Sequence, residues 1–358
     1  MIRLGARSES ALPLTLSLIL ALALCAIAGW RYAIFRNGVD LGIFTQVISG
    51  VGHGFSSTPE GGVNHFLVHW SPIIVAGWPF LALFGPVGLE YFQAMLVAAT
   101  LLPLWGMARA RFGRLASLAI LGVAALYPTL WANGTGDFHE MAFVPLLSAL
   151  LVYALDRRRW GIGLAAAGLL LCTKEDQFVI LFINGALFAV TARGGADRRA
   201  GFLISGLALL MSAVYFGVVR QLLTPHVAYL SFEFFNWRGI GAHGFDWSLL
   251  LPRVRYVLII LAPLAFLPCV SRYGLLLIPG FVEILASDRP ITLVPGAHYS
   301  ALLTGYALVA FVDGASRVAM WSLPFSENPH LLGCGDVGCR RDFCQPDGLL
   351  VLSLSLAE

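Results

Sequence analysis

The sequence predicts an all-α polytopic membrane protein of about ten spanning helices, and three observations carry that prediction. The 358 residues are 58% hydrophobic and only 12% charged, with a mean hydropathy of +0.79, whereas a soluble domain carries about 25% charged residues. Apolar runs long enough to cross a hydrocarbon core of about 30 Å recur along the chain. Arginines come in bursts between pairs of those runs: Arg109, Arg111, Arg114; then Arg157, Arg158, Arg159; then Arg193, Arg198, Arg199. The net charge of +3 therefore reports orientation and points to no nucleic-acid partner.

The elements follow in order. Ala11 to Trp30 is long enough to span, follows Arg3 and Arg7, and lacks a cleavage site after it, so it reads as a retained first helix. The positive-inside rule places the arginine bursts in the cytoplasm, so residues 31–86 form a first external loop. Within it Ser71 to Gly85 is apolar but only about 15 residues long. Spanning there would invert every later burst, so it is expected to lie on the outer face as an interfacial helix. Further spans are expected at Val87–Ala108, Leu115–Trp131, Met141–Asp156, Trp160–Thr173, Gln177–Ala192 and Ala200–Val219. A second external loop, 220–252, precedes spans at Val254–Val270, Gly274–Ala286 and Tyr299–Val318. Residues 1–320 thus form one transmembrane domain, and 321–358 a tail of different character, read as truncated or frame-shifted.

Two acidic clusters fall at outer turns: Asp137-Phe138-His139-Glu140 and Lys174-Glu175-Asp176, the latter holding the only lysine of the chain. Trp160 to Thr173 covers about 21 Å at 1.5 Å per residue. The lysine cluster should therefore fall short of the outer surface, so either the membrane thins locally or the cluster lines an aqueous recess.

Cys25, Cys172 and Cys269 lie in apolar segments as small hydrophobes. Cys334, Cys339 and Cys344 fit no standard zinc spacing.

Each candidate site residue has a chemical and a structural reading. Asp40, soon after the first span, could deprotonate an acceptor hydroxyl or hold a cation that does so; it could equally cap a short helix over Leu41–Ile48. Asp137, His139 and Glu140 could orient a sugar, bind a divalent metal, or cap the helix that follows. Lys174 could bind a phosphate as a point charge, while Glu175 and Asp176 also suit a helix start. His65 and His69 share i, i+4 spacing, though Pro72 and nearby glycines argue against a helix. Arg238 and the pair His298-Tyr299 could contact a lipid phosphate or belong to an interfacial aromatic belt. No Walker A, Rossmann, Gly-x-Ser-x-Gly or His-Glu-x-x-His motif is present.

From Trp30 to Val318 the chain resembles the bacterial membrane-protein family called domain of unknown function 2079. The resemblance rests on Val39-Asp40-Leu41-Gly42-Ile43-Phe44, His69-Trp70-Ser71-Pro72, Asp137-Phe138-His139-Glu140, Lys174-Glu175-Asp176 and His298-Tyr299, in that order. That family is similar to the C-type (GT-C) glycosyltransferases, multi-pass enzymes that use polyprenyl-phosphate-linked sugars. Asp40 and Ser71–Gly85 stand where those enzymes carry an essential acid and an interfacial helix. Unlike many of them, this chain gives Asp40 no acidic neighbour.

The resemblance implies a glycosyltransferase of the bacterial cytoplasmic (inner) membrane, with both termini cytoplasmic and its site on the outer face. Asp40 is expected to be catalytic. His69, Asp137, His139, Glu140, Lys174, Glu175, Asp176, Arg238, His298 and Tyr299 are expected to bind a lipid-linked sugar and present it to a cell-envelope acceptor. No cofactor is required by the residues alone; a divalent metal at Asp40 is an option. The alternative is a transporter or lipid-handling protein with the acids and Lys174 as an ion or proton relay, although no internal repeat of the transporter kind is evident. A purely structural membrane subunit is the third reading.

Overall fold

The computed structural model describes residues 5–192, 194–219, 221, 246–287 and 289–322. Among them the chain is helical, with no strand and one isolated antiparallel bridge, Ser56 to Asn64. Arg238, residues 222–245 of the second loop, and the tail with Cys334, Cys339 and Cys344 lie outside the described residues.

In chain order the helices are α1 (Gly5–Ala33), α2 (Val39–Ser49), α3 (Trp78–Phe84), α4 (Val87–Arg109), α5 (Arg114–Ala125) and α6 (Pro128–Thr135). Then come α7 (Phe143–Asp156), α8 (Trp160–Leu170), α9 (Asp176–Thr191), α10 (Gly195–Val219), α11 (Trp247–Leu264), α12 (Ile278–Ala286) and α13 (Ala301–Ser322). Among the described residues, five helices are long and apolar enough to cross a membrane: Ala11–Ala33 within α1, α4, α10, α11 and His298–Met320, which contains most of α13. A sixth is added if α5 and α6, bent by 52°, are one span. The shortfall from ten has a geometric cause. α7, α8, α9 and α12 contain 14, 11, 16 and 9 residues, so at 1.5 Å per residue they reach only about 14–24 Å.

Two expected spans are not single helices. Leu115–Trp131 breaks before Pro128, which has no N–H for the ladder and whose ring crowds the preceding turn. Val254–Val270 is displaced: α11 already starts at Trp247, inside the expected loop 220–252. It ends at Leu264, where Ala265 and Phe266 adopt positive φ of 51° and 56°. Tight turns at Leu267–Val270 and Arg272–Leu277 then lead into α12.

α13 is the central helix, with 78% of its spanning window buried, against 22% for α10 at the periphery. Close approach is made by glycines. A Cβ on Gly201 of α10 would lie 2.6 Å from the Gly185 carbonyl of α9, and Gly305 of α13 leaves no room for one against Pro145 and Ser148 of α7. Small residues at such crossings let backbones gain packing where lipid supplies no hydrophobic drive. Buried polar groups stitch α6 to α13: Asn133 donates to Ser300 Oγ and Thr304 Oγ1 at 3.2 Å, and Thr304 donates to Thr129 at 2.9 Å.

α4, α7 and α13 carry charge at both ends. At one end Arg111 grips Asp156 in a two-pronged pair (3.0 and 2.6 Å), and Asp156 also accepts from Arg272 (2.9 Å) and Tyr273 (2.7 Å). Beside it Asp313 accepts from Ser271 at 2.8 Å and Arg317 at 3.1 Å. The other end of the same helices carries the residues of the candidate site.

Candidate functional site

The loop before α2 is fixed by Asp137. Its carboxylate accepts from the Gly38 N–H at 2.5 Å, from Arg31 at 3.2 Å and from Asn37 at 3.4 Å. Arg31 also reaches the Thr135 and Arg36 carbonyls, and Asn37 bonds to Glu90. Gln93 holds the 136–139 backbone from both sides, donating to the Gly136 carbonyl at 2.9 Å and accepting from the His139 N–H at 3.1 Å. α2 then buries Leu41, Phe44, Val47 and Ile48, a helical stripe at i, i+3 and i+7. Asp40 stands in its first turn, where a carboxylate complements the helix dipole; the N-cap itself is Gly38.

A second lattice surrounds Lys174, which is 7% exposed. Its ammonium lies 3.7 Å from Glu140 and 3.6 Å from Asp176, joining the two acidic clusters. Glu175 accepts from the Trp70 N–H at 2.9 Å and pairs with His69 Nδ1 at 2.9 Å. The Trp70 indole donates to the Leu171 carbonyl at 3.0 Å, and the Ile73 N–H to the Cys172 carbonyl at 3.1 Å. The segment 69–73 is thereby docked on the end of α8.

Ion pairing outweighs desolvation at four groups of this lattice, Glu175, His69, Glu140 and Lys174. Burial alone would raise the Glu175 pKa, but the charge and hydrogen bond of His69, with Lys174 behind, hold it at about 2. Burial would lower the His69 pKa, and Glu175 raises it above its ordinary value. Glu140 is likewise held well below the usual carboxylate range against burial, by His139 and Lys174. Lys174 is held above its ordinary value against burial by Asp176, Glu140 and Glu175.

The third grouping brings together residues far apart in sequence. Ligand atoms of Asp40, His139 and His298 all lie within 4.8 Å of one another. The rings of His139 and His298 stack at 3.5 Å with an interplanar angle of 15°, and His298 Nδ1 is 4.0 Å from an Asp40 oxygen. His139 Nδ1 faces Glu140 at 3.0 Å.

One cavity of about 630 Å³ is lined by all three groupings. Asp40, His69, Asp137, His139 and Glu140 reach it, as do Lys174, Glu175, Asp176, His298 and Tyr299. Only Arg238, outside the described residues, is not placed. Its described lining carries the carboxylates of Asp40, Glu60, Asp137, Glu140, Glu175 and Asp176 against two permanent cations, Arg31 and Lys174. The cavity is therefore acidic and attracts cations.

Sequence reasoning passed over Arg31, Gln93 and Asn133 as lining residues, and Glu90 as a partner of the loop. Glu90 and Gln93, an i, i+3 polar pair inside a predicted span, were the signal, because polar side chains within spans are expensive. Against the expectation, a one-turn helix forms at His65–Val68 with His69 as its C-cap, and His65 has a different part. Its ring connects Glu60 (2.7 Å) to Ser71 (2.9 Å), in the order of a hydrolase relay. Ser71 is fully buried, so no substrate carbonyl reaches it and the chain of bonds staples the loop.

Residues 31–328 match a family model described as "Predicted membrane protein (DUF2079)". No curated protein and no solved structure matches.

Proposed function

The chain belongs to this family of predicted membrane proteins, and on that footing we propose that it is an inverting glycosyltransferase using a polyprenyl-phosphate-linked sugar. The observation that carries the reading is that Asp40 faces both acidic clusters across a single cavity. About ten crossings are proposed, with the short helices spanning where the bilayer thins around the cavity. The arginine end is cytoplasmic and the cavity opens outward on the cytoplasmic membrane.

In the proposed reaction the acceptor hydroxyl attacks the anomeric carbon opposite the phosphate. The new C–O bond forms as the bond to the phosphate oxygen breaks, the hydroxyl proton passes to Asp40 or is acidified by a cation held there, and polyprenyl phosphate leaves. Asp137 positions the Asp40 loop. Lys174, already held between Glu140 and Asp176, supplies the positive charge nearest the leaving phosphate. His69, His139, Glu140, Glu175, His298 and Tyr299 shape the sugar site.

The acid surplus favours a second reading, a cation or proton relay through the same cavity. Membranes supplied with a labelled polyprenyl-phosphate sugar separate the two. Transfer should vanish in Asp40→Asn at unchanged protein level, and retained transfer sinks the enzyme assignment. Ion-dependent uptake by proteoliposomes without transfer favours the relay.

A further inference from the structure

We propose that Asp40, His139 and His298 form a binding site for one first-row divalent transition metal in the cavity. The proposal rests on the transfer reading for what the metal does there, but not for whether it binds.

Three observations carry it. The three side chains come from three separate segments, at α2, before α7 and before α13, and still place ligand atoms within 4.8 Å of one another. Two of them are free of hydrogen bonds: none from a described residue reaches the Asp40 carboxylate or the His298 ring, which lie 4.0 Å apart, and the His298 ring otherwise stacks on His139. His139 is supported from behind, its Nδ1 against the Glu140 carboxylate at 3.0 Å. Nδ1 also accepts from the Met141 N–H at 3.4 Å, which fixes the ring and leaves Nε2 as the ligating atom.

The donor set selects the metal. Two imidazoles and one carboxylate suit Zn²⁺, Fe²⁺, Co²⁺ or Mn²⁺, whereas Mg²⁺ and Ca²⁺ take oxygen ligands. Bonds of about 2.0–2.2 Å need the donors closer than 4.8 Å. An imidazole also ligates along its in-plane lone pair, so one ring of the stacked pair turns out of the stack on binding. The cavity's carboxylate excess supplies the attraction, and a bound dication offsets the repulsion that the same carboxylates would exert on a donor phosphate.

The test uses the full-length protein in detergent, stripped with a chelator and titrated with Co²⁺. One equivalent per chain is expected, with visible absorption bands that Zn²⁺ abolishes and millimolar Mg²⁺ does not. Asp40→Asn and His298→Ala should each weaken Co²⁺ binding at least tenfold. Glu60→Gln, which removes another cavity carboxylate, should leave the bands in place. Equal binding by wild type, Asp40→Asn and His298→Ala would mean general attraction to an acidic cavity and overturns the site, as does absence of binding below millimolar Co²⁺. Thermal melting of each variant separates ligand loss from unfolding. A wild-type protein that binds metal at these residues but transfers no sugar refutes the enzyme reading and leaves the metal site standing.

Discussion

A Cβ added to Gly38 would lie 2.8 Å from the Asp137 carboxylate, so a side chain there displaces the carboxylate that clamps the Asp40 loop. Gly38→Ala should lower transfer about 10–100-fold, since misplacement by an ångström costs on that order, while the melting temperature changes little; unchanged transfer would remove Asp137 as a positioning residue. The His69–Glu175 pair gives a pH signature. His69 is raised above its ordinary 6.5, so its contribution to stability is full below pH 6.5 and is lost as pH rises through the raised value. Glu175 is depressed from 4.5 to about 2, so its contribution is full above pH 4.5 and is lost as pH falls towards 2. The melting temperature of wild type minus that of His69→Gln should therefore be flat between about pH 4.5 and 6.5 and shrink on either side. A difference that does not vary with pH contradicts the pairing.

At the scale of elements, the lattice at Asp156 ties the ends of α4, α7 and α13 and the turn before α12. Asp156→Asn leaves Arg111 short of its two-pronged partner. Breaking such a partly buried pair costs about 3 kcal/mol or more, read as a lower melting temperature in detergent with cavity metal binding retained in the folded fraction. A melting temperature equal to wild type would mean the lattice is decoration. Element ends were legible because arginine bursts and acidic clusters mark them chemically. The interiors were harder. Pro128 breaks the helix without changing the hydropathy of the run, and Ala265 and Phe266 carry no turn chemistry, so hydropathy alone shows neither break. The site was legible where charges cluster in sequence, at 137–140 and 174–176. Lone polar residues inside apolar runs, Glu90, Gln93 and Asn133, belong to no motif, and it is packing that aims them at the loop and the cavity.

Over the whole molecule, the charge at the two ends of the helices divides a lattice of matched arginines and aspartates from an acidic cavity. Six carboxylates face two permanent cations in the cavity; under the proposed transfer a bound metal offsets their repulsion of an anionic donor, which ties the metal site to that proposal. Orientation is testable with single cysteines in a background lacking the native ones. Gly296, exposed at the cavity with open space for a side chain, should react from outside with an impermeant thiol reagent as Gly296→Cys in right-side-out vesicles. Arg158→Cys, exposed after α7, should not; the reverse pattern inverts the topology. The most direct measurement of the central claim is turnover of a labelled polyprenyl-phosphate sugar by the purified, reconstituted protein. One polyprenyl phosphate should be released per sugar transferred, with inverted linkage and none from Asp40→Asn; a donor left intact by metal-loaded wild type in the presence of cell-envelope acceptor would rule out the transferase.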